Sequence, residues 1–290
     1  MSSKNIHILV QSTLDGVGSV LVIGWAYPDA SVSYTVFNGV STSFRSKFGN
    51  KNLSAYDIVF AIDLSINSND IPLIDKSNVI CLSKNNTVSS FCKNVKVQES
   101  CTHTIYRLLS NKLDITTKQK QLLAYINDYV AGTHFFNKST DYNILYKSVN
   151  LTQFIHLFVD GDRDFDDKQK ALINLYKKEV VTYFTNIQKF KSDIKLKDGE
   201  SLFIGVFANK FINEIADMIL QQYSSCEIVF VYNVDNNSVL FKRGKKSNID
   251  VSVLASHLGD GYGNQYIGYG TPTDKFLNFT KKFYPLDADQ

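Results

Sequence analysis

A short apolar strand that runs straight into a glycine turn constrains this chain more than any other stretch. Residues 6–10 are apolar apart from one histidine and predict a buried β-strand. The turn Thr13-Leu-Asp-Gly-Val-Gly18 follows, and the apolar run 18–26 predicts a helix. This order brings the turn to the carboxyl edge of a parallel sheet, where open α/β sheets bind ligands. Taken alone, the pattern also allows a plain connection with no ligand.

Three further segments predict strands of the same sheet, namely residues 31–37, 58–64 and 78–82. Residues 58–64 are almost continuously apolar, which is typical of a strand buried on both faces in a parallel sheet. Asp63 falls near the end of this run. We therefore expect its carboxylate at the same sheet edge as that of Asp15.

The remainder of the chain predicts helices and a second, smaller α/β region. Residues 191–200 are polar and charged and end in Asp-Gly, which predicts a domain boundary. We expect an N-terminal α/β domain over 1–140, a helical connector over 141–198 and a C-terminal α/β domain over 199–290. The predicted helices cover residues 100–110, 117–129, 143–158, 168–189, 212–222 and 250–257, and a hairpin joins 227–234 to 238–242.

Composition excludes several classes of protein. The net charge of +3 is too mild to indicate a nucleic-acid protein by itself. The four cysteines form no Cys-x-x-Cys pair, so we expect neither a zinc site nor a disulfide framework. No apolar run reaches about 18 residues, the length of a membrane span. The N-terminus lacks the apolar region of a signal peptide. We expect a cytoplasmic protein with no membrane partner.

Taken in order, these segments resemble the motifs of the DHH phosphoesterase superfamily, and most of all its small oligoribonuclease branch. The family's first motif, His-x-Asp-x-Asp-Gly-x-Gly, matches Gln11–Gly18. Its second motif is an aspartate that ends a buried strand, here Asp63. Its Asp-His-His motif falls on Ser83–Asn85. A Ser-Ala-Thr helix start matches Ser100–Thr104, and an Asp-Tyr-Asp motif matches Asp128–Val130.

The C-terminal region resembles the domain that accompanies DHH domains. That domain ends in a glycine-rich loop that holds the substrate's phosphate, and residues 259–268 match the loop. The family's loop histidine falls on Gly263. The resemblance implies these ligand-binding residues: Arg243, Gly259, Gly261, Gly263 and Asn264. Lys242, Lys245 and Lys246 flank the arginine and predict a basic patch, although a solvated turn is the alternative.

The resemblance implies hydrolysis of phosphodiesters by two divalent ions, usually manganese. Most positions that hold those ions carry other residues here: Gln11, Thr13, Ser83, Lys84 and Val130. The two remaining carboxylates, Asp15 and Asp63, are too few to hold a pair of hard cations. We therefore expect no resident metal cofactor. The alternative is a single Mg²⁺ or Mn²⁺ ion bound by these two aspartates.

Lys84 stands where the family has a metal-binding histidine. Its ammonium group would replace the charge of an ion and pair with Asp15 or Asp63, which would otherwise repel each other. The alternative is that Lys84 points into solvent from a turn. Asp15, Asp63 and Lys84 are thus candidates for a vestigial catalytic site.

Three functions remain open from the sequence. The first is a catalytically degenerate protein that binds a nucleotide, a short oligonucleotide or a cyclic dinucleotide. The second is a scaffold that binds a protein partner. The third is a working metal-dependent phosphodiesterase or oligoribonuclease with a rearranged site. The departures from the motifs favour the first function over enzymatic activity.

Overall fold

The computed structural model describes residues 4–35, 55–64, 78–82, 93–94, 100–196, 199–259, 261–263 and 265–285. The chain divides into two compact units, Met1–Ile173 and Asn174–Gln290. Each unit contains a β-sheet and helices, which confirms the predicted α/β class. The division into three domains at residues 140 and 198 stays a prediction.

A parallel sheet forms the centre of the first unit. Its strand order is β2-β1-β3-β4-β5, and every pair of neighbours runs parallel. The side chains of β1 and β3 are buried almost without interruption, as expected for strands covered on both faces. The strands are β1 (Ile6–Gln11), β2 (Ser31–Thr35), β3 (Ile58–Ile62), β4 (Val79–Leu82) and β5 (Lys93–Asn94).

The helices of this unit are α1 (Leu14–Ala26), α2 (Cys101–Leu109), α3 (Thr117–Ala131), α4 (Asn137–Ser148) and α5 (Leu151–Phe158). Helix α1 starts four residues before the predicted residue 18, because Thr13 caps it. The helix predicted over 143–158 is two helices. They separate at Asn150, which caps α5 and forms a capping box with Gln153.

The second unit is built on a mixed sheet of order β10-β11-β9-β8-β7-β6-β12. Strands β7 and β8 are parallel and the other described pairs are antiparallel. The strands are β6 (Lys189–Leu196), β7 (Gly199–Ala208), β8 (Cys226–Asn233), β9 (Ser238–Arg243), β10 (Tyr262–Gly263), β11 (Ile267–Gly270) and β12 (Tyr284–Pro285).

Helices cover this sheet on both faces. Helix α6 (Asp167–Asn186) supplies Phe184 to one apolar core, together with α7 (Ile212–Gln222). Helices α8 (Val251–Leu258) and α9 (Asp274–Thr280) pack on the opposite face. No helix in the described part of the chain has both the length and the apolar character needed to cross a bilayer.

Strand β6 is missing from the sequence predictions. Its segment Lys-Phe-Lys-Ser-Asp-Ile-Lys-Leu begins at the end of the predicted helix 168–189 and continues into the predicted polar boundary, yet it pairs with β7 along its whole length. Apolar residues alternate with charged ones in most of this segment, which is typical of a strand exposed on one face. The predicted boundary at residue 198 thus falls between two strands that pair with each other.

Asp128 organises the connection between α3 and α4. Its buried carboxylate accepts hydrogen bonds from the hydroxyls of Thr133 and Ser139 at 2.6 Å each. It also accepts from the backbone N–H groups of Phe135, at 2.8 Å, and Phe136, at 3.0 Å. Burial raises the pKa of Asp128, but these donors outweigh that effect and lower it below the ordinary value of 3.8.

We predict that Asp128→Asn lowers the free energy of unfolding by about 1–3 kcal/mol at pH 7, because an amide cannot accept all four donors. The loss is largest above pH 4, where the carboxylate is ionised in both the folded and the unfolded chain. It shrinks as the pH falls through the lowered pKa, because the folded wild type then protonates Asp128. Urea unfolding at pH 7 and pH 3 measures both effects.

The exposed Asp160→Asn variant is the control for this prediction. It removes the same charge from a solvated site, so its unfolding free energy should stay close to that of the wild type. An Asp128→Asn protein as stable as the wild type at pH 7 contradicts the structural role of this carboxylate.

Candidate functional site

The carboxyl ends of β1 and β3 bring the first candidate residues together. Val10 pairs with Ile62, so the residues that follow the two strands meet at one edge of the sheet. The hydroxyl of Thr13 accepts the backbone N–H of Gly16 at 2.9 Å and thereby caps α1. The same hydroxyl donates to Oδ2 of Asp63 at 2.9 Å. Thr13 thus links the start of α1 to the end of β3.

Asp63 has an unusual backbone conformation. Its φ angle is +54°, in the left-handed region that aspartate, asparagine and glycine tolerate best. Its N–H donates to the carbonyl oxygen of Leu82 at 2.8 Å, which extends the pairing of β3 with β4 by one residue. The side chain is half-buried. Backbone strain of this kind is concentrated at functional positions.

The carboxylate of Asp15 is hydrogen-bonded to the start of α2. Its carboxylate is only 3% exposed and accepts the backbone N–H groups of Cys101 and Thr102 at 2.9 Å each. The hydroxyl of Thr102 lies 2.9 Å from the same carboxylate. The positive end of the helix dipole also favours a carboxylate here. Asp15 therefore holds α1 against α2 across a separation of 86 residues.

The glycines of the turn are required by close packing. A Cβ atom on Gly16 would lie 2.2 Å from the carbonyl oxygen of Gln11, and one on Gly18 would lie 2.5 Å from the hydroxyl of Thr102. Neither glycine has a positive φ, so space and not backbone conformation selects glycine at both positions. Gly18 lets α1 approach α2 closely enough for Asp15 to reach the helix start.

Cys101 completes a cluster of possible metal ligands. One ligand atom from each of Asp15, Asp63 and Cys101 lies within 4.8 Å of the others. The Cys101 side chain is fully buried, and its Sγ lies 3.8 Å from the carbonyl oxygen of Leu82. Two carboxylates and a thiol at this spacing fit one divalent ion, because oxygen and thiolate ligands both bind ions such as Zn²⁺.

Sequence reasoning missed Cys101. The signal was available, since Ser100-Cys-Thr102 stands where the resemblance has Ser-Ala-Thr. The search for a Cys-x-x-Cys pair could not find Cys101, because the other two candidate ligands are aspartates that lie far away in sequence. Lys84 lies outside the described residues, so its pairing with Asp15 or Asp63 stays a prediction.

Arg243 forms the core of the second candidate site. It ends β9, and its guanidinium carbon lies 4.4 Å from the centre of the Tyr266 ring. Its backbone N–H donates to the Tyr266 carbonyl at 2.9 Å. Hydrogen bonding from Ser252 lowers the pKa of Asp250, and the charge of Arg243 lowers it further. Arg243 is therefore held beside the turn of the β10–β11 hairpin and remains partly exposed.

The basic patch predicted around Arg243 is smaller than expected. Lys242 is buried and forms an ion pair with Asp217 on α7, because successive residues of a strand point to opposite faces. Lys245 and Lys246 are exposed in the turn that follows β9. The positive charge near Arg243 thus comes from residues of the turn and not from its strand neighbour.

The loop glycines pack tightly against their surroundings. A Cβ atom on Gly261 would lie 2.5 Å from the carbonyl oxygen of Ala255, and one on Gly263 would lie 2.3 Å from that of Ile267. A Cβ atom on Gly259 would lie 2.5 Å from the carbonyl oxygen of Thr271. These glycines bring the loop close to α8 and to β11. Contact of the loop with a phosphate stays a prediction, and Asn264 lies outside the described residues.

Comparison with known proteins gives matches in structure alone. No family model and no curated protein matches the sequence. The DHH domain of a member of the s1p family of ribosomal proteins has a TM-score of 0.61 and 11% identity, over 97% of this chain and 86% of that one. The pGpG-specific phosphodiesterase PggH from Vibrio cholerae has a TM-score of 0.55 and 10% identity, over 96% and 97%. RecJ from Thermus thermophilus, solved in complex with Mn²⁺, has a TM-score of 0.50 and 11% identity, over 96% of this chain and 51% of that one.

The prediction that the chain has no metal cofactor is wrong. It rested on counting two carboxylates along the sequence, whereas the fold adds a thiol to them at Asp15, Asp63 and Cys101. The similar RecJ structure contains Mn²⁺, so this fold accommodates a divalent ion. The described residues fit one ion, and the count of ligands from the sequence was incomplete.

The similar structures are DHH-domain proteins that align over nearly the whole of this chain. The parallel sheet of the first unit and the mixed sheet of the second are both included in these alignments. This chain therefore has the fold of these DHH-domain proteins.

Proposed function

We propose that this protein binds a nucleotide or short oligonucleotide, together with a divalent ion, and has lost the hydrolytic activity of the DHH fold. The observation that carries the proposal is the pair of hydrogen bonds made by Thr13. Its hydroxyl caps α1 and donates to Asp63, at a position where the family has a metal-binding aspartate. A neutral donor in that place cannot bridge two ions.

The chemistry of two-metal hydrolysis supports this view. A pair of ions activates a water and stabilises the leaving oxygen, and both must be held by several carboxylates or imidazoles. Asp15 is already engaged by three hydrogen-bond donors at the start of α2. An ion held by Asp15, Asp63 and Cys101 would neutralise the two carboxylates. It would not by itself supply the second ion of the mechanism.

Arg243 and Tyr266 support a ligand that carries both a phosphate and a base. A guanidinium binds phosphate through two parallel hydrogen bonds. Tyr266 is 44% exposed and its ring centre lies 4.4 Å from the guanidinium carbon, so it restricts the motion of the cation and presents an aromatic surface on which a base can stack. The similar PggH structure is described as specific for pGpG. The linear dinucleotide pGpG is therefore the first ligand to test. We propose that the protein itself lies in the reducing environment of the cytoplasm.

We predict that Arg243→Ala weakens the binding of pGpG at least tenfold, because a charged hydrogen bond to phosphate contributes about 1.5–3 kcal/mol. Arg243→Lys should recover only part of the affinity, since an ammonium cannot bind bidentately. Tyr266→Phe keeps the ring and should bind like the wild type. Isothermal titration calorimetry measures the affinities.

Lys245→Ala is the matched control, since Lys245 is an exposed cation two residues away. Its affinity should change less than threefold at physiological salt. Equal losses in the Arg243 and Lys245 variants would indicate non-specific attraction. No binding of pGpG, other short oligonucleotides or cyclic dinucleotides by the wild type would overturn the proposal in favour of a protein-interaction role.

We predict that pGpG stays intact during prolonged incubation with the protein and Mn²⁺, because the described residues of the site offer ligands for one ion only. Chromatographic separation of pGpG from its mononucleotides checks this expectation. Release of mononucleotides that disappears in Asp63→Asn would identify a working phosphodiesterase and refute the loss of activity. Release that persists in that variant would identify a contaminating enzyme.

We also predict that Asp15 and Asp63 differ in their effect on stability. Asp15→Asn should lower the unfolding free energy by about 2–4 kcal/mol, because an amide group faces donors that need a buried acceptor. Asp63→Asn should cost about 1 kcal/mol or less, since asparagine also tolerates a positive φ and accepts from Thr13. Urea unfolding of both variants, without added metal, tests this difference; equal losses would contradict it.

A further inference from the structure

We propose that Cys101 makes the ion site selective for a borderline ion such as Zn²⁺ or Co²⁺ over Mg²⁺. The inference rests on the metal half of the proposed function and goes beyond it, because it assigns a thiolate ligand and an ion class. It concerns the cluster formed by Asp15, Asp63 and Cys101, whose ligand atoms all lie within 4.8 Å of one another.

The backbone holds the sulfur atom at the same edge as the carboxylates. The Sγ of Cys101 lies 3.8 Å from the carbonyl oxygen of Leu82, and the N–H of Asp63 donates to that same oxygen at 2.8 Å. The N–H of Cys101 donates to Asp15. Cys101 thus contacts Asp15 directly through its backbone and Asp63 indirectly through the Leu82 carbonyl. Full burial limits the rotation of its side chain away from the cluster.

The start of α2 offsets the excess negative charge that a thiolate ligand would bring to this position. Two carboxylates and a thiolate carry three negative charges against the two positive charges of the ion. Cys101 is the first residue of α2, so the helix dipole offsets part of the excess. Helix N-termini also stabilise thiolates directly. On binding, the S–H bond breaks, a sulfur–metal bond forms, and the proton leaves to solvent.

Ligand type then sets the ion preference. Mg²⁺ requires oxygen ligands in a nearly octahedral arrangement and retains its waters, so a buried sulfur is a poor ligand for it. Zn²⁺ binds cysteine sulfur and carboxylate oxygen together, with sites of three protein ligands and one open position. Co²⁺ and Zn²⁺ also exceed Mn²⁺ in the general order of affinity. The same reasoning gives Mn²⁺ an intermediate affinity.

The test is a Co²⁺ titration of the full chain followed by absorption spectroscopy. Co²⁺ bound to a thiolate gives a charge-transfer band in the near ultraviolet, which carboxylate ligands alone do not give. We expect the band in the wild type and its loss in Cys101→Ser. Cys226→Ser is the matched control, because Cys226 is also a buried thiol but belongs to the second unit. The control should retain the band.

A second measurement uses thermal stability in matched concentrations of Zn²⁺, Mn²⁺ and Mg²⁺. An ion that binds only the folded chain raises its melting temperature in proportion to the logarithm of affinity. The wild type should be raised most by Zn²⁺ and least by Mg²⁺. Cys101→Ala, which also suits the first turn of a helix, should lose at least tenfold in Zn²⁺ affinity and little in Mg²⁺ affinity.

The outcomes separate this inference from the proposed function. If Mn²⁺ or Mg²⁺ binds the wild type as well as Zn²⁺ does, and Cys101→Ala is unchanged, the thiolate assignment is overturned and the metal half of the proposed function stands. If no ion gives a band or a shift in the wild type, both fail. If Cys101→Ser does not fold, the Cys101→Ala titration decides the assignment by the same criterion.

Discussion

The packing of the first unit depends on the hydrogen bonds between the carboxylate of Asp15 and the start of α2. It follows β1 directly, yet its partners are the first N–H groups of α2, 86 residues further along the chain. Those N–H groups have no acceptor within their own helix, so a buried helix start needs such a partner. Gly18 leaves the space that lets α1 and α2 meet. The position of Cys101, and therefore the candidate metal-binding cluster, follows from this one contact.

The same contact gives Asp15 a structural role that does not depend on catalysis. Asp15 remains necessary for packing, because its removal leaves buried donors unpaired. Thr13 similarly caps α1 while it contacts Asp63. Residues that support two helix starts thus coincide with the candidate metal ligands, so their presence does not by itself indicate catalysis.

The sequence predicted much of the fold, because buried parallel strands are recognisable as apolar runs. Strands β1, β3 and β4 and the meeting of Asp15 with Asp63 at one sheet edge followed from that pattern. The sequence does not reveal strand β6, because its many charged residues are also typical of a linker. It does not reveal the break at Asn150, because apolar residues recur at helical spacing on both sides of that position. Cys101 was missed because its two partners in the cluster, Asp63 and Asp15, are 38 and 86 residues away in sequence. The burial of Lys242 required knowledge of which face of β9 is covered by α7.

The strand order of the second sheet has a consequence for its dynamics. The β10–β11 hairpin contacts the sheet through β9 alone, over four paired residues, whereas β7 and β8 are flanked on both sides. Opening of a short marginal ladder requires far less free energy than unfolding of the central strands. Amide hydrogens next to Tyr266 should therefore exchange with solvent long before those of β8. Arg243 belongs to β9, which is paired on both sides, so opening of the hairpin would move the Tyr266 ring away from a cation that stays in place.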